Sequence, residues 1–186
     1  MNWEQDPSDS GIDTLLKNFT QLTTAIMTCI EVRLQVPTLI LLYSSLDIMG
    51  YLNMPKERSH NTPQDFYLWV EKYYLPNIGN EKCHAIDLYS ARCGLLHSMS
   101  YESNLTREKV AKGIMYAWGN ASANVLERVV EEMQKDGIVL HINDMEKALR
   151  IGLENFLKDI SSDEEKLKLI TTRAGKMFTN IQLPGQ

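Results

Sequence analysis

The segment Thr38-Leu-Ile-Leu-Leu-Tyr-Ser-Ser-Leu-Asp-Ile-Met49 is apolar on nearly every side when wound as a helix. Such a helix is stable only when other elements surround it, so the rest of the chain must supply that cover. Ile12, Leu15, Leu16, Phe19, Leu22, Ile26 and Ile30 fall on one helical stripe, which predicts an amphipathic helix running to near Val36, with Pro37 opening the next helix. Asp9 or Ser10 is the expected cap of that first helix. Thr62-Pro63-Gln-Asp65 is a helix start, and the helix it opens carries Phe66, Trp69, Val70, Tyr73 and Tyr74 on one face. An aromatic face of that kind can stack bases, but at helical spacing it reads first as core. Further helices are expected at about 123–135, after a cap at Asn143 or Asp144, and after Ser161-Ser162-Asp-Glu-Glu165. The helix after Asn143 faces inward with Met145, Ala148, Leu149, Gly152, Phe156 and Ile160, and the last with Leu167, Ile170, Ala174 and Met177-Phe178. Two short β-rich stretches, near 113–118 and 138–142, are expected to pair as a small antiparallel ribbon. The expectation is an all-α bundle of about five to seven helices with a short β-ribbon, a single domain with mobile ends at 1–9 and 179–186.

Composition narrows the function classes. The 186 residues are 44% hydrophobic and 23% charged, ordinary values for a globular chain with a sizeable core. A net charge of −5 and a pI near 5.4 argue against a general, charge-driven nucleic-acid binder, though not against a local basic cleft. Three cysteines without paired spacing point to a reducing compartment rather than a disulfide scaffold. The first residues, Met1-Asn-Trp-Glu-Gln-Asp-Pro, have neither the basic nor the apolar region of a secretory leader. The apolar run Val36–Leu42 is too short to span a bilayer, so a cytoplasmic location without membrane attachment is expected.

The polar residues that stand out lie in Asp87-Leu-Tyr-Ser-Ala-Arg-Cys-Gly-Leu-Leu-His-Ser-Met-Ser-Tyr-Glu102. Five helical steps separate Arg92 from His97 by about 140° around the axis and about 7.5 Å along it. A long arginine side chain can swing across that angle, so both groups can meet one phosphate. Ser90 and Gly94 beside His97 are small enough for a second helix or backbone to come close. Asp47, the one carboxylate inside the apolar helix, needs a cation or several donors if it is buried, and Arg92 is a candidate; alternatively it points outward near the helix end. The plainer reading stays open beside this one: an arginine at the edge of a core stripe commonly reaches to solvent, and a lone histidine is most often a surface or satisfied core group. Cys83, His84, Cys93 and His97 lack the paired short spacing of a zinc site, so no metal is assigned, and nothing calls for another cofactor. A Cys93–His97 nucleophile pair lacks an orienting third group.

Arg92-Cys-Gly-Leu-Leu-His97 resembles the R-x4–6-H signature of the HEPN superfamily, and the helical context extends the likeness to about residues 10–160. The resemblance implies a compact helical bundle and a metal-independent ribonuclease, or a relative of one, of a prokaryotic toxin or defence system. It further implies Arg92 and His97 as catalytic residues, a homodimer whose cleft holds two such pairs, an RNA substrate and an antitoxin or other protein partner, with Asp47, Ser90 and Cys93 in support. Catalytic members usually carry Asn, Asp or His directly after the arginine, where this chain has Cys93. That departure and the acidic charge favour the rival class, a non-catalytic helical module binding a protein or small ligand.

Overall fold

The computed structural model describes residues 11–133 and 136–177. The expected caps Asp9 and Ser10, the ends 1–9 and 179–186, Lys135 and Phe178 lie outside them. Helix α1 (Gly11–Glu31) buries Leu15, Phe19 and Ile26 and is followed by a short turn in which Arg33 takes a left-handed conformation (φ 60°). Helix α2 (Gln35–Asn53) therefore begins two residues earlier than expected, with Pro37 at its third position. The missing proline N–H is tolerated there, because the first-turn donors have no partner within the helix. As its all-round apolar character requires, α2 lies at the centre, with Leu42, Tyr43, Leu46, Met49 and Leu52 essentially inaccessible, and it packs against α1 and the helices described next.

Helix α3 (Pro63–Trp69) opens with Thr62 and Asp65 in a reciprocal capping box. It continues through a π-helical turn (Val70–Tyr74) into α4 (Leu75–Ile78) and stops at Gly79, whose φ of 73° suits glycine. The aromatic face is core: Phe66, Trp69, Tyr73 and Tyr74 are all buried. Helix α5 (Ala85–Ser98) is capped by His84, whose backbone N–H donates to Asp87 Oδ2 at 2.9 Å. The other oxygen of this buried carboxylate accepts from the Lys112 backbone N–H at 2.7 Å, tying the start of α5 to the strand that follows. A single turn, α6 (Asn104–Arg107), leads to β1 (Gly113–Ala117).

Helix α7 (Ala123–Glu132) then carries the chain to β2 (Gly137–His141). The two strands pair in parallel, Gly113 with Gly137 through Ala117 with His141, and not as the antiparallel ribbon expected from sequence. The reason is the connection: the helix between the strands carries the chain back from the end of β1 to the level at which β1 began, which is the β-α-β arrangement, whereas antiparallel pairing follows a tight turn. Helix α8 (Ile142–Ser161) is capped by His141, whose Nδ1 accepts from the Asn143 N–H, so the cap precedes the residues expected to provide it. Its inward face is the expected one, with Met145, Ala148, Leu149, Gly152, Phe156 and Ile160 buried. Helix α9 (Glu164–Ala174) is capped by Asp163 rather than by the serines, which end α8. With residues 63–78 taken as one run and α6 as one turn, the described residues form an all-α bundle with one small sheet.

Candidate functional site

Arg92 and His97 converge. The arginine leaves α5 at the edge of its apolar side, where Leu88 is buried, and its guanidinium turns along the helix to place Nη1 3.2 Å from His97 Nε2. An arginine N–H can only donate, so Nε2 is the acceptor in this contact. The opposite edge of the guanidinium is held by α2: Nε and Nη2 both lie 2.6 Å from Asp47 Oδ2. Of the two positions open to Asp47 on sequence grounds, the structure selects the pair with Arg92. Both side chains keep slightly over a fifth of their surface exposed, 22% and 23%.

The electrostatics of this pair have a direction. Burial pushes the Asp47 carboxyl above the ordinary carboxylate range, and the hydrogen bond and charge of Arg92 offset only part of that. Burial also works against the charge on Arg92, but Asp47 more than restores it, so the guanidinium stays cationic. The carboxyl side decides the energetic meaning, because arginine titrates far above any working pH. Asp47 holds Arg92 in place from the α2 side.

Beside His97 opens a cleft of about 670 Å³, walled by α5 (Tyr89, Cys93, Gly94, His97, Ser98), by the segment Ser100–Ser103 and by α6 (Asn104, Leu105, Arg107). Its far wall is pinned to α5. Gly94 lets the backbone approach so closely that a Cβ there would sit 2.7 Å from the Ser100 carbonyl oxygen and 2.9 Å from that of Glu102. Ser90 and Ser103 share a buried hydroxyl–hydroxyl hydrogen bond of 2.6 Å. Of the second helix or backbone for which the small residues beside His97 leave room, the structure brings a backbone, the chain's own 100–103 segment. Met99 takes the left-handed conformation (φ 51°) that closes α5 and turns the chain onto this wall. Met99 and Tyr101 are the exposed large residues of the turn, at 70% and 77%.

Cys93 lies on the cleft, with its sulfur 4.0 Å from Arg92 Nη1. Cys83 is elsewhere, in the core, its thiol pushed up to about 12 by burial and by the Asp87 carboxylate. Among the described residues no group of three or more His, Cys, Asp or Glu side chains gathers around a possible metal position. Nor, among them, is any helix long and apolar enough to cross a membrane. Sequence reasoning did not single out Arg107 or the 100–103 wall. The available signal was the cluster Arg107, Lys109 and Lys112 against a lone Glu108, in a chain that is acidic as a whole. Compared with family models, curated proteins and solved structures, the chain finds no match.

Proposed function

We propose that the protein is a HEPN-like, metal-independent ribonuclease, of a toxin or defence type, acting through Arg92 and His97 in a cleft completed by a second copy of the chain. The observation that carries the reading is the 3.2 Å contact of Arg92 Nη1 with His97 Nε2 at a cleft large enough for a nucleotide unit, with Asp47 fixing the guanidinium from behind. In the resting site Arg92 occupies the lone pair of the base. A phosphodiester entering the cleft takes over that Nη1 hydrogen bond, which places the cation on the phosphate and frees Nε2. His97 then accepts the ribose 2′-hydroxyl proton as the 2′-oxygen attacks phosphorus; the bond to the 5′-oxygen breaks, and that oxygen takes a proton as it leaves. The products are a 2′,3′-cyclic phosphate and a 5′-hydroxyl end. Met99 and Tyr101, exposed beside the cleft, offer apolar surface to a second copy.

One observation favours the rival class, a helical module that binds a protein or small ligand without catalysis. Two of the three guanidinium nitrogens of Arg92 are already engaged by Asp47. The deciding experiment is cleavage of mixed structured and single-stranded RNAs in EDTA by the wild type, His97→Ala and Arg92→Ala. The ribonuclease reading expects each substitution to slow cleavage by about 10²- to 10⁴-fold with folding intact. A wild type that leaves every RNA whole selects the binding module.

A further inference from the structure

The arginine that lines the cleft itself is Arg107, on the α6 side, whereas His97 comes from α5 and Arg92 stands behind it. Arg107 Nη2 donates to Asn104 Oδ1, which orients the guanidinium, and among the described residues it pairs with no carboxylate. Arg92 differs in this respect, because Asp47 balances its charge within hydrogen-bond distance. The Arg92–Asp47 pair behind His97 is balanced in charge, so the arginine that an anion in the cleft meets without a carboxylate partner is Arg107. The opposing charge on the lining is Glu102, whose carboxylate accepts from the Tyr101 hydroxyl at 2.7 Å. The volume, about 670 Å³, falls in the usual range of small-ligand clefts and exceeds what one phosphate group needs.

We infer that Arg107 binds a backbone phosphate of single-stranded RNA, next to the phosphodiester addressed by Arg92 and His97. The identity of the ligand rests on the ribonuclease reading. Single strands are favoured because a cleft between one helix and a pinned loop admits a splayed nucleotide and excludes a duplex. Arginine suits the task because its planar fork donates to two phosphate oxygens at once. Preorganisation comes from the wall itself: Gly94 and the Ser90–Ser103 pair fix the segment that leads into α6.

The test uses a fluorescein-labelled, mixed-sequence 2′-O-methyl RNA, which cannot be cleaved because its 2′-oxygen has no proton to lose. Binding is followed by anisotropy from low to physiological salt, beside cleavage of the matching unmodified RNA. Arg107→Ala should weaken binding about tenfold and lower the salt slope by about 0.7, the value of one phosphate contact on a single strand. Arg107→Lys should recover the slope, Glu102→Gln should tighten binding, and Arg150→Ala, on the ion-paired outer face of α8, should bind as the wild type does. An Arg107→Ala variant that binds with wild-type affinity and slope overturns the inference, as does a wild type that does not bind. A wild type that binds without cleaving refutes the catalytic reading and leaves Arg107 standing; cleavage with unaltered Arg107→Ala binding does the reverse.

Discussion

At the scale of the residue, the Arg92–Asp47 contact sets function against stability. A buried ion pair contributes to folding only when attraction exceeds desolvation, and for Asp47 burial is the larger influence, since its carboxyl stays above the ordinary range despite two contacts of 2.6 Å. The folded state therefore binds the Asp47 proton more tightly than the unfolded state does. Across the window from the ordinary carboxylate value to the raised one, the contribution of this group to stability falls as pH rises. Asp47→Asn should accordingly match or exceed the wild type at neutral pH, by up to about 1 kcal/mol, and should lack this part of the acid-side slope. Urea unfolding of both proteins from pH 4 to 7 checks it. A variant less stable than wild type by more than about 2 kcal/mol at neutral pH would show instead that the pair stabilises the fold. On the proposed ribonuclease reading, cleavage should fall in the same variant, because Asn supplies no charge to hold the guanidinium in line. The candidates Arg92, His97 and Asp47 were visible in sequence because helical spacing brings two of them together and an apolar helix exposes the oddity of the third. Arg107 was not, since nothing in a one-turn helix marks which neighbouring wall it joins.

At the scale of the element, the cleft exists because α5 ends where it does. Ser98 is the last helical residue, Met99 turns left-handed, and the backbone folds back until Ser100 N–H donates to the Gly94 carbonyl at 3.1 Å. Two terms compete at Gly94. Alanine is the better helix former by about 1 kcal/mol. Its Cβ, however, would meet two backbone carbonyl oxygens at 2.7 and 2.9 Å, and backbone cannot rotate away as a side-chain tip can. Overpacking of this kind costs about 1–3 kcal/mol, so Gly94→Ala should destabilise the protein by up to about 2 kcal/mol and displace the 100–103 wall, with loss of ligand binding. Gly113→Ala is the matched control, because nothing lies within 4 Å of its Cβ, and it should stay within about 0.5 kcal/mol of wild type. Denaturant midpoints of the two variants decide the matter; equal midpoints would mean that the wall yields. The small size of residues 90 and 94 was legible in the sequence, but what approaches them was not, since a local pattern records room and not its occupant. The parallel pairing of β1 and β2 was missed for a related reason: strand propensity identifies both partners, and only the helix between them sets their direction.

At the scale of the whole molecule, one apolar core joins α1 to α5 with α8 and α9, beside a smaller cluster of Ala117, Val130 and Val139 under α7, and Cys83 reports on the main core. The core extends from Leu15 to Ala174 and includes this cysteine, which is 4% exposed, together with Tyr43 and Tyr74, so a reagent reaches the Cys83 thiol freely only when the packing opens. Arg173 fastens the end of α9 to the same body, donating to the carbonyls of Leu52, Met54 and Pro55 at the end of α2. With its thiol pushed up to about 12, Cys83 holds about one part in ten thousand as thiolate at pH 8, and the thiolate is the species that alkylates. Cys29 and Cys93 are only partly buried, and Cys93 faces the cleft. Alkylation of the native protein with iodoacetamide should therefore modify two cysteines promptly and the third only as the fold opens. Cys83→Ala identifies the slow one, and if the cleft binds single-stranded RNA as proposed, the RNA should slow Cys93 but not Cys29. Because opening precedes reaction, the Cys83 rate should rise with urea along the slope of global unfolding measured by circular dichroism. A shallower slope would place Cys83 in a smaller opening unit around α5 and β1, and three equal rates in the native state would contradict a continuous core.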